Sequence, residues 1–525
     1  MVEVTDRLKE IARTVVSASQ MHEIESRIFA AGMPVAALME KVGGLIANRI
    51  QALYGCTHYP KIAILVGPGH NGGDALVIAR ELCFRGYDIL LYRPLAKSKE
   101  LTAQHAAYVE SLGIKFYESV EQLKDCNLII DGLFGYGQER SLVPPISDAI
   151  DLINQWSKPV LSIDLPSGIH TDTGKVLGTA IRAHHTFCIG LWKLGLLQEQ
   201  ALEFVGTVEL VDIDLPLSDV LAVVGESPRI QRLTKESATA SLPLPRPLST
   251  HKYKMGHLLL VCGSHRYSGG AILSALAARD SGVGMLSIAV PESIRLLLST
   301  HLPEALIIGC RETETGAIAQ LPDDMELSKY NAIACGPGLT TDAKPIVQQI
   351  LSSDRPLVLD ADGLNILAEL GTVQTLSSRA PTVLTPHTGE FKRLFPELAE
   401  MEPLTAVSAA AKQTGAVVLL KGARTAIANP QGSVWINPES TPALARGGSG
   451  DVLTGLIGGL LAQAVLRHPV ESIVQTAAWW HAQAGILAAS ERTELGVDAF
   501  TLTQFLIPAL KAGLQPNAQK REFLS

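Results

Sequence analysis

Short apolar runs that break into glycine-rich loops recur through both halves of this 525-residue chain, and they restrict its fold more than any other feature. In the first half Lys61–Val66 runs into GPGHNGGDA (67–75), Leu128–Asp131 into GLFGYGQ (132–138), and Pro159–Asp164 into LPSGI (165–169). Further strands are expected at Asp88–Tyr92, Ile114–Phe116, Thr186–Leu191 and Val208–Asp212, with a helix over Leu76–Arg85 after the first loop. Strand and helix in alternation give a parallel α/β sheet, because parallel neighbours need a long crossover. Such sheets bind ligands beyond the C-terminal ends of their strands. The loops after Val66, Asp131 and Asp164 are therefore expected to converge, with turn capping as the alternative role of each aspartate.

The GPGHNGGDA stretch formally matches G-x-G-x-x-G through Gly67, Gly69 and Gly72. The second strand ends near Arg93 and not at the acid that a dinucleotide ribose would need, so the match is weak. Asn71 and Asp74 inside the loop point instead to contacts with a ribose, a base or a cation. Residues 1–55 have helical spacing, punctuated by Gly32-Met33-Pro34. From Asp214 to Thr250 the order relaxes into the proline-rich SLPLPRPLST (241–250). The expected division is a first domain at 1–225, a lead-in at 226–250 and a second domain at 251–525.

The second half restarts with His257–Cys262 and the Gly/Ser stretch GSHRYSGGAILSALAARDSG. Strands are expected at Met285–Val290, Ala305–Ile308, Asn331–Cys335, Leu357–Asp360, Thr382–Thr385 and Val417–Leu420, and a hairpin over Ala426–Ile436. Several enter polar or glycine loops, including GPGLT (336–340), PHTGEF (386–391) and KGARTAI (421–427). Then LARGGSGDVLTGL (444–456) leads into a buried helix marked by Val452, Leu453, Leu456, Ile457, Leu460 and Leu461. The N–H groups of Gly448, Ser449 and Gly450 at that helix start favour an anion. Asp451 is expected to be ionised at neutral pH, so beside a phosphate it makes sense as a base for an attacking hydroxyl; a helix cap is the alternative. No Walker motif occurs, so phosphoryl chemistry would need a different cradle.

A net charge of -8 argues against nucleic acid or an anionic membrane as partner and favours small molecules. Seven cysteines without a C-x-x-C pair point to reduced, mostly core residues. The N-terminus has no continuous apolar segment of signal-peptide type, and no apolar run reaches the roughly 20 residues of a bilayer span. A cytoplasmic location is expected.

Taken in order, GSHRYSGGAILSALAARDSGVG, GPGLT, LDADGLNIL, LTPHTGEF, LLKGART and LARGGSGDVLTGLIGG resemble the ADP/ATP-dependent NAD(P)H-hydrate dehydratases, a ribokinase-like family. SQMHEIESRIFAAGMPVAALME, GPGHNGGDA, DGLFGYG and DLPSGI resemble NAD(P)H-hydrate epimerase domains. The resemblance implies a Rossmann-like three-layer domain followed by a ribokinase-like α/β domain. It also implies epimerisation of R and S hydrates of NADH and NADPH (NADHX and NADPHX), and dehydration of the S form by phosphorylation of the added hydroxyl and loss of phosphate.

Carried over residue by residue, the resemblance assigns Asp451 and Asp164 as catalytic residues. In the epimerase half, His70, Asn71, Gly72, Gly73, Asp74, Gly135, Tyr136, Gly137, Gln138, Glu139, Arg140 and Asp164 would bind the hydrate, and Asn71, Asp131 and Ser167 would bind K+. In the dehydratase half, Ala271, Gly338, His387 and Asp451 would hold the hydrate. Lys421, Gly422, Ala423, Arg424, Thr425 and Gly450 would bind nucleotide, with Gly448, Ser449 and Gly450 as the anion hole. ADP with Mg2+ is the implied phosphoryl donor and a homo-oligomer the expected assembly. The chain departs from the usual epimerase pattern at Glu25, Lys41, His70 and Ala75, and from the dehydratase pattern at Thr340, where glycine is usual. A vitamin or sugar kinase on the ribokinase-like scaffold, and a purely ligand-binding first half, are the rival readings.

Overall fold

Along Lys61–Val66 alternate side chains go to different places: Ile62, Ile64 and Val66 enter one apolar cluster, Ala63 and Leu65 another. A strand buried on both faces must be covered on both, so the first sheet is the middle of three layers. In the computed structural model, which describes residues 4–378, 380–465 and 467–515, the chain divides into two units, Met1–Gln231 and Arg232–Ser525.

In the first unit the strands lie side by side in the order Lys115–Tyr117, Asp88–Tyr92, Lys61–Val66, Leu128–Gly132, Val160–Ile163, His185–Ile189 and Thr207–Val211, all parallel. Helices Ala18–Ala30, Val35–Leu53 and His70–Phe84 cover one face through residues such as Met21, Ile24, Ile46, Ile50, Leu76 and Ile78. Ile146–Ile153 covers part of the other. Ser17 starts the first of these helices with a capping box to Gln20, which satisfies N–H groups that a helix start leaves open.

The 67–75 stretch is a loop only as far as Gly69, and the helix begins at His70, not at Leu76 as the spacing predicts. A Cβ on Gly72 would lie 2.0 Å from the Gly67 carbonyl oxygen, so glycine lets the first turn fold back onto the loop. This packing overrides the poor helix propensity of His-Asn-Gly-Gly-Asp.

The second unit has its parallel strands in the order Val417–Leu420, Thr382–Leu384, Leu357–Leu359, Ala332–Cys335, His257–Val261, Met285–Pro291 and Leu306–Glu312. Antiparallel strands extend it at both ends: the hairpin Ala426–Ala428 and Val434–Ile436, and Ile318–Gln320, which was too short to be legible in the sequence. Helices Ser268–Asp280, Ser449–Ala464, Val470–Arg492 and Ala499–Leu514 share one core. Ser268–Asp280 and Ser449–Ala464 touch backbone to backbone, since a Cβ on Gly455 would sit 1.9 Å from the Ser274 carbonyl oxygen. Part of the 226–250 lead-in is built into this unit: Thr234 caps the helix Lys235–Thr239, and Ala238 and Leu242 are buried in the same core.

Candidate active sites

In the first unit the order of the strands reverses between Lys61–Val66 and Leu128–Gly132, and a cavity of about 970 Å³ opens there. His70, Asn71, Asp74, residues 135–140 and Asp164 line it as expected; so do Glu25 and Lys193, which the sequence did not single out as site residues. Gly72 and Gly73 are buried in helix packing instead, where a Cβ on Gly73 would lie 2.6 Å from the Met39 sulfur.

Asp164 leaves its strand with φ +68°, a region that non-glycine residues rarely adopt and that recurs at functional sites. Its carboxylate meets the Lys193 ammonium at 2.6 Å and accepts the Tyr136 N–H at 3.0 Å. Both charged side chains are almost fully buried, at 4% and 1% exposure. Burial alone would lower the lysine pKa, but the adjacent Asp164 raises it, so Lys193 stays an ammonium. Asp74 is held well above the usual carboxylate range by burial, reinforced by the charges of Asp164 and Glu25. Glu25 is raised too, again chiefly by burial, and accepts a hydrogen bond from the Tyr136 hydroxyl. The cavity thus holds two carboxyls raised chiefly by burial beside a third in contact with an ammonium.

Asp131 is fully buried beneath this edge, accepting from Ser167 Oγ at 2.6 Å, Ser167 N at 2.8 Å and Ser162 Oγ at 2.9 Å. Asp131 and Ser167 are therefore together. Asn71 reaches the same loops from the other side, its amide oxygen 3.2 Å from where a Cβ on Gly135 would stand, and its buried Nδ2 has no hydrogen-bond partner. Lys41 does not enter the cavity: it donates to the Ile213 carbonyl at 2.9 Å and to Asp214 at 2.5 Å, tying its helix to that turn.

In the second unit the corresponding reversal lies between His257–Val261 and Ala332–Cys335. Gly448, with φ +89°, starts the helix Ser449–Ala464, and Asp451 stands in its first turn. The Ser449 N–H is already given to the Arg446 carbonyl at 3.2 Å and the serine side chain is buried against His481, so of the expected anion hole Gly448 and Gly450 remain. Burial pushes the Asp451 carboxyl up to about 7, with Asp360 adding and Lys421 opposing. Burial thus sets Asp451 apart from an ordinary aspartate, which the sequence could not show.

Lys421 reaches Asp360 at 2.6 Å and Glu390 at 3.8 Å, and a Cβ on Gly450 would lie 3.3 Å from its ammonium. Asp360 also accepts from Thr454 at 2.6 Å. It sat in a quoted motif, LDADGLNIL, but was not assigned to the site. His387 caps the helix Thr388–Leu394, its Nδ1 accepting from Gly389 at 2.9 Å, while its ring stays half-exposed. Gly338 has φ +66° and lies near Asp451 through Gly270, where a Cβ would be 3.2 Å from the Asp451 carboxylate. Ala271, expected to hold the hydrate, is fully buried in the core of the second unit. Gly422 and Ala423 are exposed, with Arg424 and Thr425 partly covered. Thr340 occupies φ +65° with its hydroxyl buried and unpaired, so the departure from glycine costs strain.

A model of the NAD(P)H-hydrate dehydratase family matches residues 258–508, and one described as YjeF-related protein N-terminus matches residues 35–195. The bifunctional NAD(P)H-hydrate repair enzyme Nnr of Synechocystis sp. is 54% identical over 506 residues, 96% of either chain. That of Thermosynechococcus vestitus is 51% identical over 97% of this chain and 99% of its own. A crystal structure of the ADP/ATP-dependent NAD(P)H-hydrate dehydratase from Bacillus subtilis, co-crystallised with ATP and Mg2+, is 34% identical, covering 54% of this chain and 98% of that one at a TM-score of 0.46. With relatives so similar over nearly their whole length, the chain belongs to the family of bifunctional NAD(P)H-hydrate repair enzymes.

Proposed function

We propose that the protein repairs hydrated NADH and NADPH at two separate sites, interconverting the R and S hydrates in the first unit and dehydrating the S form in the second. The observation that carries this is Asp451 in the first turn of a helix, close to Lys421 and Asp360, in a chain 54% identical to a repair enzyme. Asp451 takes the proton of the substrate hydroxyl as the phosphoryl group arrives, and Gly448 and Gly450 at the positive helix end stabilise the transferring charge. Phosphate leaves far more readily than hydroxide, and the ring nitrogen expels it. ADP is the donor in this reading, held by the 421–425 segment with Mg2+ on its phosphates.

In the first unit Asp164 is the acid/base at the hydrated carbon. Asn71, Asp131 and Ser167 bear oxygen donors of the kind a hard cation takes, and K+ there would supply the positive charge that buried Asp131 lacks. Work in the cytoplasm as a homo-oligomer belongs to the same proposal; no helix among the described residues is long and apolar enough to cross a membrane.

The deciding experiment incubates purified protein with hydrated NADH and either ADP or ATP and follows dihydronicotinamide absorbance. Recovery with ADP is expected. A stable phosphorylated product would make the second unit a kinase, and no recovery with either nucleotide would sink the repair reading. R-to-S conversion without nucleotide tests the first unit separately.

A further inference from the structure

Tyr136 holds a carboxyl group at each of its ends. Its backbone N–H donates to Asp164 at 3.0 Å and its hydroxyl donates to Glu25, and both acids line the cavity. Their partners differ in kind. Asp164 is ion-paired with Lys193 at 2.6 Å, whereas Glu25 meets a neutral phenol in a largely dry place. Asp164 thus has a positive neighbour in contact, whereas burial holds the Glu25 carboxyl toward its protonated form, opposed by the hydrogen bond from Tyr136 and by the charge of Lys193. Inverting one carbon by loss and return of a hydroxyl calls for both an acid and a base, because the hydroxyl must be protonated as it leaves one face and water must lose a proton as it adds to the other.

We infer that Glu25, acting with the Tyr136 hydroxyl, is the second acid/base of the epimerisation, opposite Asp164. This rests on the epimerase reading above. The carbon–oxygen bond breaks with its electron pair going to oxygen, which takes the Glu25 proton and departs as water, while the ring nitrogen supplies the pair for a carbon–nitrogen double bond. Water then adds to the same carbon from the other side, its proton passes to Asp164, and the pair returns to nitrogen. The other epimer runs the steps backward from ionised Glu25 and protonated Asp164, and exchange with solvent interconverts the two states.

The test uses the full chain and the R hydrate of NADH without nucleotide. Glu25→Gln keeps an acceptor for Tyr136 but removes the exchangeable proton, so the conversion rate is expected to fall roughly 100-fold with little change in KM. The alkaline limb of the pH profile, which requires protonated Glu25, should vanish. The groups facing Glu25 are His22, Asp74, Tyr136, Asp164 and Lys193. Glu25→Asp should restore most of the rate, and conversion in 18O-water should place label in the hydroxyl.

A Glu25→Gln chain as fast as the parent, or conversion without label uptake, would overturn the inference and leave the epimerase reading intact. A parent chain that does not accelerate conversion at all would overturn both. Should near-ultraviolet circular dichroism show Glu25→Gln unfolded, Tyr136→Phe decides: it deletes one oxygen, and an unchanged rate and pH limb would overturn the joint assignment of Glu25 and the Tyr136 hydroxyl.

Discussion

The two units wind their seven parallel strands in the same order, with the first and fourth as neighbours at the reversal, and each places its candidate site at that point. What stands there differs. The first reversal holds a buried ion pair, Asp164 with Lys193, and further carboxyls made reluctant to ionise. The second holds a helix N-terminus, a carboxyl lifted to about 7, and a lysine shared between Asp360 and Glu390. On the proposed reading, one winding therefore supports proton transfer to and from a hydroxyl in one place and phosphoryl transfer in the other. The fold supplies positions at strand ends, and the side chains placed there supply the chemistry.

The sharpest way to break this comparison is to silence each site alone. Asp451→Asn is expected to lower dehydration roughly 100- to 10,000-fold while leaving R-to-S conversion unchanged, as removal of a general base does. Asp164→Asn should do the reverse. If either change abolished both activities in a folded protein, the sites would not be separate.

Next in size is stability. Asp164→Asn and Lys193→Met each strand a buried charge, which costs about 3–5 kcal/mol, and should lower the first unit's denaturation midpoint. Replacing exposed Lys9, paired with Asp6 at 3.2 Å, is expected to change stability by less than about 1 kcal/mol.

A pH experiment sharpens the electrostatic contrast. Asp451 works as a base only when ionised, so kcat/KM for dehydration should fall with decreasing pH below about 7. Asp360→Asn removes the neighbouring negative charge that raises Asp451 and should move that limb to lower pH. Linkage gives the matching stability effect. A folded pKa near 7, above the ordinary aspartate value, means that this group's contribution to stability is fully present below the ordinary aspartate pKa and is lost as pH rises through 7. Asp451→Asn should accordingly stabilise the second unit at pH 8 but not at pH 3.5, by up to a few kcal/mol at about 1.4 kcal/mol per unit. Equal effects at both pH values would contradict the raised pKa.

The smallest expected effect is at Thr340. Thr340→Gly relieves the positive-φ strain and the buried hydroxyl but adds freedom to the unfolded chain, for a net gain of roughly 1 kcal/mol read from the urea midpoint.

Much of this was legible before any coordinates. Strand positions followed from apolar runs such as Lys61–Val66 and Val417–Leu420, because a buried parallel strand needs side chains suited to both faces. The loops at Asn71, Asp164 and Asp451 were legible because glycine beside a carboxylate marks close backbone approach. Lys193 and His481 were not, and Glu25 was legible only as a departure from the family pattern. The role of each depends on a partner distant in the chain: Asp164, Ser449 and Tyr136 respectively. His481 is driven down to about 4 by burial, so it stays neutral behind the Ser449 backbone, and no spacing rule announces that.

The sequence by itself determined the alternation of strands and helices, the edge at which each site lies, and the family, since these depend on local pattern and motif order. Only the tertiary structure decided which carboxyls meet a lysine, which meet a phenol, and which N–H groups at the Ser449 helix are already engaged. Charge state and hydrogen-bond supply depend on burial and on neighbours brought in from remote positions, and those exist only once the chain has folded.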